Sequence, residues 1–294
     1  MPVNVDISFT SFNTGCDYLY DYRPFDIRHI NYDRRKVSRD RYDIMRHMIG
    51  HENYGLVIDR QVVTDNWSHI QIVRHMIDNR LHYSNRGIPV LCPMYLYEDG
   101  KAKPNVNSEM VSMITEKTGI SFSESLVESE TEFDIMDLFD YSYGILNSPL
   151  YIEKYIDLLK IEFPKVPIPN GNEMFWRIVA YGRRLRKLHL LEEDIGNPMG
   201  ISFEGVGDNI VSSRKLKPEG LYINRTQLFT NVTEEIWDFC YGGYHGLQKW
   251  FKDRNGMKLS EDDIQHVIRV LNVFEKTISI REDLDICMDE FGLI

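Results

Sequence analysis

The stretch YRPFDIRHINYDRRKVSRDRYDIMRHM, residues 22–48, carries the clearest structural signals in the chain. Apolar and polar residues alternate loosely over residues 25–32, which predicts a β-strand. Apolar residues then recur at helical spacing over residues 39–49, which predicts a helix. A strand followed directly by a helix indicates that the first third of the chain mixes both kinds of element.

Three more strands are predicted outward from this stretch. They cover residues 54–63, 69–76 and 88–97, where apolar and β-branched residues form short runs. The third run ends at the turn residues 98–100, Glu-Asp-Gly.

The centre of the chain is predicted to be helical. Ser148 followed by Pro149 is typical of a helix start, since serine caps the first turn and proline fits its first position. Asn172 is predicted to cap a long helix that reaches about residue 193. Between these helices, three prolines at 164, 167 and 169 predict an extended connector.

The last third combines a hairpin with helices. Residues 201–223 are predicted to form a β-hairpin around the turn at 217–220, and Thr233 and Ser260 to cap two final helices. We therefore predict an α/β (α+β) fold with a mixed sheet and flanking helices, in one domain over residues 1–294. Its predicted sub-regions are 1–105 (mixed α/β), 106–194 (mainly helical), 195–225 (β-hairpin insertion) and 226–294 (helical).

Charge is distributed unevenly along the chain. The formal net charge of −11 would argue against a polyanionic partner. However, residues 118–153 carry −8, and residues 22–86 carry +4. The chain has no apolar run long enough for a membrane span and no secretory signal, so a cytoplasmic protein without a membrane partner is expected.

The most concentrated basic segment lies within the opening stretch. Five cations fall within eight residues beside Tyr32 and Tyr42, namely Arg34, Arg35, Lys36, Arg39 and Arg41. Such clusters neutralise DNA phosphates, and forked guanidinium groups can also bind guanine edges. The alternative is a charged helix start that Asp33, Asp40 and Asp43 balance. Composition alone leaves both interpretations open.

Two short motifs could indicate an enzyme. Phe203, Gly205 and Gly207 spell FxGxG, the start of many S-adenosylmethionine loops, but a hairpin turn is the preferred interpretation. Asp99 and Lys101 match half of a metal-nuclease site, and a solvated loop is preferred there.

A metal site and an acidic surface are further alternatives. The histidines at 47, 51 and 75 could ligate a metal, although no carboxylate follows in HExxH style, so no metal site is predicted. The acidic segment 118–153 could be a solvated face, a DNA mimic or a protein-interaction surface.

Several long segments resemble one known family. The opening stretch, ENYGLVIDRQV at 52–62, PVLCPMYLYEDG at 89–100 and YSYGILNSPLYIEKYIDLLKIEFPKVPIP at 141–169 are similar to the C-terminal specificity region of type ISP restriction-modification enzymes and related helicase-type adenine-specific DNA methyltransferases. LRKLHLLE at 185–192 and the segment 222–264 continue the likeness in the same order. The resemblance covers about residues 20–280.

This resemblance implies a target-recognition domain that binds double-stranded DNA and performs no chemistry. It implies that methyltransferase, helicase and nuclease parts act in cis or in trans, and that S-adenosylmethionine, ATP and Mg serve the intact enzyme, with no cofactor in this chain. The alternative is a self-contained methyltransferase or metal nuclease. No catalytic residue is predicted, and the residues expected to contact DNA are Arg23, Arg28, Arg34, Arg35, Lys36, Arg39, Arg60, Gln61, Lys249 and Arg254.

Overall fold

The structure, a computed structural model, describes residues 16–292. Within this range, small β-sheets flank a group of packed helices. The predicted α+β class is therefore confirmed. No helix between residues 16 and 292 is long and apolar enough to cross a membrane.

Strands dominate the N-terminal third. Its elements are β1 (Asp17–Arg23), β2 (Asp26–Asn31), α1 (Tyr42–Met45), β3 (Gly55–Ile58), β4 (Ile70–Val73), β5 (Met76–Ile77), β6 (Val90–Pro93), β7 (Tyr95–Glu98) and β8 (Lys101–Pro104). Strand β1 pairs antiparallel with β2 and parallel with β5, while β3 lies between β4 and β6, antiparallel to both. The four predicted strands are confirmed in shorter form, with the last divided between β6 and the β7–β8 hairpin.

The helix predicted over residues 39–49 is wrong for most of its length, because α1 contains only four residues. Arg39 and Arg41 have φ angles of 55° and 49°, in the left-handed region, so no helix can run through them. The hydroxyl of Tyr32 donates to the backbone carbonyl of Asp40 and holds this irregular turn in place. Residues 33–41 therefore form an ordered loop that helical periodicity does not reveal.

Helices dominate the middle of the chain. The elements here are α2 (Ser108–Thr118), β9 (Ser121–Phe122), β10 (Glu132–Phe133), α3 (Ile135–Asn147), α4 (Pro149–Leu159) and α5 (Asn172–His189). Ser148 caps α4 by accepting from the backbone N–H of Tyr151, and Pro149 occupies its first turn, as predicted. The predicted cap of α5 is wrong by one residue, because Gly171 is the N-cap and Asn172 begins the helix.

Helices α3 and α5 cross in close contact. A Cβ atom at Gly182 would lie 1.7 Å from the carbonyl oxygen of Asp140, so only glycine fits there. Arg186 donates to both carboxylate oxygens of Asp140 at 2.6 and 3.0 Å, and Arg183 donates to Asp137 at 2.9 Å. Part of the acidic segment is therefore a buried contact between helices rather than a solvated face.

The last third contains a four-stranded sheet and a long helix. Its elements are β11 (Phe203–Glu204), β12 (Lys215–Lys217), β13 (Gly220–Tyr222), β14 (Leu228–Thr230), α6 (Glu234–Trp237), β15 (Cys240–Tyr241), β16 (Tyr244–His245), α7 (Gln248–Asp253) and α8 (Glu261–Glu290). The predicted hairpin is β12–β13, and the predicted caps Thr233 and Ser260 begin α6 and α8. The sheet, in the order β11-β14-β13-β12, continues past residue 225, and β15 and β16 lie in the region predicted to be helical.

Phe25 fastens the β1–β2 ribbon to the main hydrophobic core. Its side chain is buried, and its ring centroid lies 5.3 Å from that of Tyr241 and 5.5 Å from that of Phe274 on α8. The imidazole Nε2 of His266, also on α8, lies 2.8 Å from the carbonyl oxygen of Phe25. These contacts fix the closed end of the ribbon, between Arg23 and Asp26, relative to the C-terminal helices.

Candidate nucleic-acid interface

Tyr22 lies among cations that come from both ends of the chain. The guanidinium carbons of Arg28 and Arg23 lie 3.8 and 3.9 Å from the Tyr22 ring centroid, and the Nζ of Lys249 lies 5.7 Å from it. The arginines belong to the β1–β2 ribbon, whereas Lys249 belongs to α7. We call Tyr22, Arg23, Arg28, Lys249 and Arg254 the Tyr22 cluster.

Asp26 joins the ribbon to the end of α7. Its buried carboxylate accepts two hydrogen bonds from Arg28, at 2.7 and 3.2 Å, and two longer ones from Arg254, at 3.3 and 3.4 Å. Burial alone would raise the pKa of Asp26, but the hydrogen bonds from the two guanidinium groups hold it below its ordinary value. One carboxylate thus orients two guanidinium groups that are 226 residues apart in sequence.

The remaining cations of the cluster also have partners. Lys249 pairs with Asp253 one helical turn later. The guanidinium group of Arg254 lies 3.7 Å from the ring centroid of Trp250, which is buried as the sequence suggested. Neighbours therefore fix the orientations of Lys249, on α7, and of Arg254, directly after it.

Three residues that sequence reasoning missed extend this surface. Asp78 accepts from the Arg23 side chain at 2.8 Å and also from the backbone N–H of Arg80 at 2.8 Å. The hydroxyl of Tyr244 donates to the carbonyl of Arg80 at 2.8 Å, and the ring of the exposed Tyr83 lies 5.7 Å from that of Tyr244. No spacing in the sequence links these residues, because they meet only where β5, the 78–84 turn and β16 come together.

The 33–41 loop carries exposed ion pairs. Arg34 donates to Asp40 at 2.7 Å, and Arg35 donates to both carboxylate oxygens of Asp33 at 2.9 and 2.6 Å. The hydrogen bonds from Arg35 lower the pKa of Asp33 to about 2. The side chains of Arg34 and Arg35 remain 58% and 79% exposed, so both can exchange a carboxylate for a phosphate.

Other cations of this loop lack such partners. Lys36 and Arg39 are exposed, and their side chains form no hydrogen bond or ion pair with any residue from 16 to 292. Residues 33–41 contain five cations and two carboxylates, which leaves a clear positive excess.

Arg60 and Gln61 follow the end of β3 and are both exposed. Their side chains also lack hydrogen-bond or ion-pair partners within the described part of the chain. A Cβ atom at Gly87 would lie 2.2 Å from the Gln61 carbonyl oxygen, so a glycine with φ of 82° lets the two loops pack closely. The predicted pair therefore sits on a supported turn.

The two basic regions lie at opposite ends of the β1–β2 ribbon. Arg23 pairs with Asp26 at its closed end, and Asp17 pairs with Asn31 at its open end, next to the 33–41 loop. The five residue steps of β2, from Asp26 to Asn31, span about 17 Å at about 3.3 Å each. That length corresponds to about five base pairs of B-DNA at about 3.4 Å each.

The other sequence motifs have local structural roles. Gly205 and Gly207 of FxGxG pack against residues 226 and 227, where Cβ atoms would lie 2.0 Å from the Thr226 carbonyl oxygen and 2.4 Å from the Gln227 Oε1. Asp99 and Lys101 lie at the exposed turn of the β7–β8 hairpin. The glycines thus permit close packing within this chain.

The three histidines considered as metal ligands, at 47, 51 and 75, do not come together at one site. The Nδ1 of His47 accepts from the backbone N–H of Tyr97, whose ring stacks on His51 at 3.7 Å, while His75 lies 3.3 Å from Asp21. Among residues 16–292, no group of three His, Cys, Asp or Glu side chains is arranged to hold a metal.

One family model matches most of this chain. Residues 8–283 match the family described as the Type ISP C-terminal specificity domain. The structure is similar to the ATP-dependent Type ISP restriction-modification enzyme LlaBIII bound to DNA, with a TM-score of 0.71 and 19% identity over 94% of this chain. It is also similar to a nuclease-deletion mutant of the Type ISP restriction-modification enzyme LlaGI in complex with a DNA substrate mimic, with a TM-score of 0.64 and 19% identity over 94% of this chain. A third similar structure is the DrdV–DNA complex, with a TM-score of 0.73 and 18% identity over 93% of this chain.

These likenesses have a limited extent. The matched regions make up 19%, 25% and 29% of the three larger chains, and at such low identity they show a shared fold. No match is found among curated proteins.

Proposed function

This chain belongs to the Type ISP C-terminal specificity domain family, and from that premise we propose that it binds double-stranded DNA and selects a target sequence. The observation that best supports this function is the Tyr22 cluster, in which strands near one end of the chain and a helix near the other present oriented cations on one surface. The similar structures are of proteins described as bound to DNA or in complex with DNA or a DNA substrate mimic.

The 33–41 loop and the Tyr22 cluster have different roles in this proposal. The exposed cations of the 33–41 loop neutralise phosphates, which sets register but carries no sequence information. Arg60, Gln61 and the oriented guanidinium groups of the Tyr22 cluster contact base edges, since bidentate side chains discriminate bases in the major groove.

Catalysis belongs to other parts of the enzyme in this proposal. Methyltransferase, helicase and nuclease parts, in cis or in trans, use S-adenosylmethionine, ATP and Mg, and this chain supplies no catalytic residue. Two measurements test this division: titration calorimetry with S-adenosylmethionine, and a plasmid cleavage assay in Mg. Binding of the cofactor or cutting of the plasmid by this chain alone would instead support a self-contained enzyme.

DNA binding itself is tested by fluorescence anisotropy with a 30-base-pair duplex over a series of salt concentrations. We expect log affinity to fall linearly with log salt, because phosphate contacts release counterions. The triple variant R34A/R35A/K36A should weaken binding and reduce the salt slope by about one per lost contact. The matched control R214A/K215A/K217A removes three exposed cations at β12 and should leave the slope unchanged. An unchanged slope in the first variant would show that the 33–41 loop does not meet DNA.

A further inference from the structure

Tyr83 and Tyr244 form an aromatic pair beside the Tyr22 cluster. The Tyr83 side chain is 52% exposed, and its ring lies 5.7 Å from that of Tyr244 at an interplanar angle of 48°. Burial raises the pKa of Tyr244 to about 12, so its hydroxyl stays protonated and donates to the Arg80 carbonyl. The pair is thus a neutral aromatic surface near Arg23, Arg80 and Asp78.

The backbone of Tyr83 is held from both sides. Its N–H donates to the carbonyl of Gly242 at 2.7 Å, and its carbonyl oxygen lies 2.8 Å from the Nε2 of His69. Since a carbonyl only accepts, that nitrogen of His69 carries the proton. His69 is fully buried, and burial lowers its pKa to about 4, so the ring is neutral at physiological pH. Gly243 lies against both groups, where a Cβ atom would be 2.3 Å from the Tyr83 carbonyl oxygen.

A second buried contact fixes Tyr83 relative to Arg60. The Nδ1 of His82 lies 2.8 Å from the Oδ1 of Asp59, and both side chains are buried to at least 99%. His82 directly precedes Tyr83, and Asp59 directly precedes Arg60. The buried Asp59–His82 pair therefore anchors the two exposed residues that follow it in sequence, Arg60 and Tyr83.

An exposed aromatic ring with an ordered backbone and neighbouring cations suits one kind of nucleic-acid contact. Aromatic side chains stack on bases that have left their own stack, and apolar wedges enter unstacked base steps. Because the backbone is already fixed, less ordering entropy opposes such a contact. We propose that the exposed ring of Tyr83, with Tyr244 packed beside it, stacks on an unstacked base of the bound DNA, which rests on the DNA-binding function proposed above.

The probe is a pair of 20-base-pair duplexes of the same sequence, one intact and one with a single unpaired 2-aminopurine. We expect the protein to bind the bulged duplex about five- to tenfold more tightly, since the unpaired base stacks without the cost of unstacking. The 2-aminopurine fluorescence should also be quenched on binding. The variant Y83A/Y244A should lose the preference and the quenching, whereas Y83F/Y244F should keep both.

Further variants make the result decisive. Tyr42→Ala removes an exposed tyrosine that begins α1, directly after the 33–41 loop, and should keep the preference. Tyr83→Ala alone removes an exposed ring, so it gives the answer if the double variant does not fold. Equal binding of the two duplexes by the unmodified protein, or a preference unchanged in Y83A, overturns the stacking role. Absence of any salt-dependent binding to the intact duplex would instead contradict the DNA-binding function.

Discussion

The Tyr22 cluster and the 33–41 loop use the same residue types in different ways. Both place arginines beside tyrosines and pair them with aspartates. In the cluster, the shared carboxylate of Asp26 is 3% exposed and connects two distant parts of the chain. In the loop, pairing is local, and Arg35 is 79% exposed. Asp33 in the loop is also buried, so the carboxylates do not distinguish the two regions. The comparison suggests that exposure of the cation itself, 12–37% in the cluster and 58–79% for Arg34 and Arg35 in the loop, separates cations held in one orientation from cations free to follow phosphates.

The substitution Asp26→Ala should have the largest effect, because it leaves two guanidinium groups without their buried partner. We expect the free energy of unfolding to fall by about 2 kcal/mol, because the hydrogen bonds to Asp26 are lost while Arg28 keeps Asp253 at 3.5 Å and Arg254 keeps Asp263 at 3.7 Å. Urea denaturation measures this loss. Asp40→Ala in the 33–41 loop is the matched control and should leave the denaturation midpoint almost unchanged, since exposed pairs contribute little. Similar losses in the two variants would remove the proposed distinction.

The pH dependence of stability sharpens the same contrast. The folded pKa of Asp26 is lowered from its ordinary value of 3.8, so its contribution is present above that pH and is lost as the pH falls through the folded pKa. The stability difference between the unmodified protein and Asp26→Asn should therefore shrink below about pH 4. Urea midpoints between pH 7 and 3 test this, and a difference that widens on acidification would mean that Asp26 is not held ionised.

The double variant R28A/K249A tests whether the Tyr22 cluster contributes to selection. It should reduce discrimination between a selected duplex and its scrambled version by about five- to a hundredfold, the range for lost base contacts. R34A/R35A/K36A should weaken both complexes by a similar factor. Competition binding at fixed salt gives both ratios, and the opposite pattern would exchange the roles of the two regions.

Single changes at the 60–61 turn should have the smallest effects. Arg60→Ala and Gln61→Ala should both leave the salt slope almost unchanged, because the proposal assigns these side chains to base edges and not to phosphates. Each should alter the preferred base at one position of the target. Anisotropy over a salt series and a base-substitution series of duplexes test this; an unchanged base preference in both variants would argue against base contacts here.

Local signals explain how much of the fold was predictable. The four strands predicted in the N-terminal third and the Ser148–Pro149 helix start depend on neighbours in sequence, and each was predicted. The helix over residues 39–49 was not, because the Tyr32 hydroxyl holds the loop at Asp40 and two arginines adopt left-handed backbone angles. Propensity cannot anticipate such a tertiary contact.

Long-range contacts explain what the sequence could not reveal about the site. The predicted residues Arg28 and Arg254 do meet, through Asp26, although no spacing relates them. No sequence signal distinguishes Tyr83 and Tyr244 from other tyrosines, because only the packing of β16 against the 78–84 turn brings them together. The contacts of all these residues with DNA remain predictions.

Selection from a randomised duplex library tests the central claim most directly. The protein is incubated alone with the library at moderate salt, and bound duplexes are sequenced over several rounds. We predict enrichment of one short motif among the bound duplexes. The R28A/K249A variant should reduce that enrichment, whereas R34A/R35A/K36A should recover the same motif from fewer bound duplexes. Recovery of duplexes with no enriched motif, or no recovery at any salt concentration, would contradict target recognition by this chain.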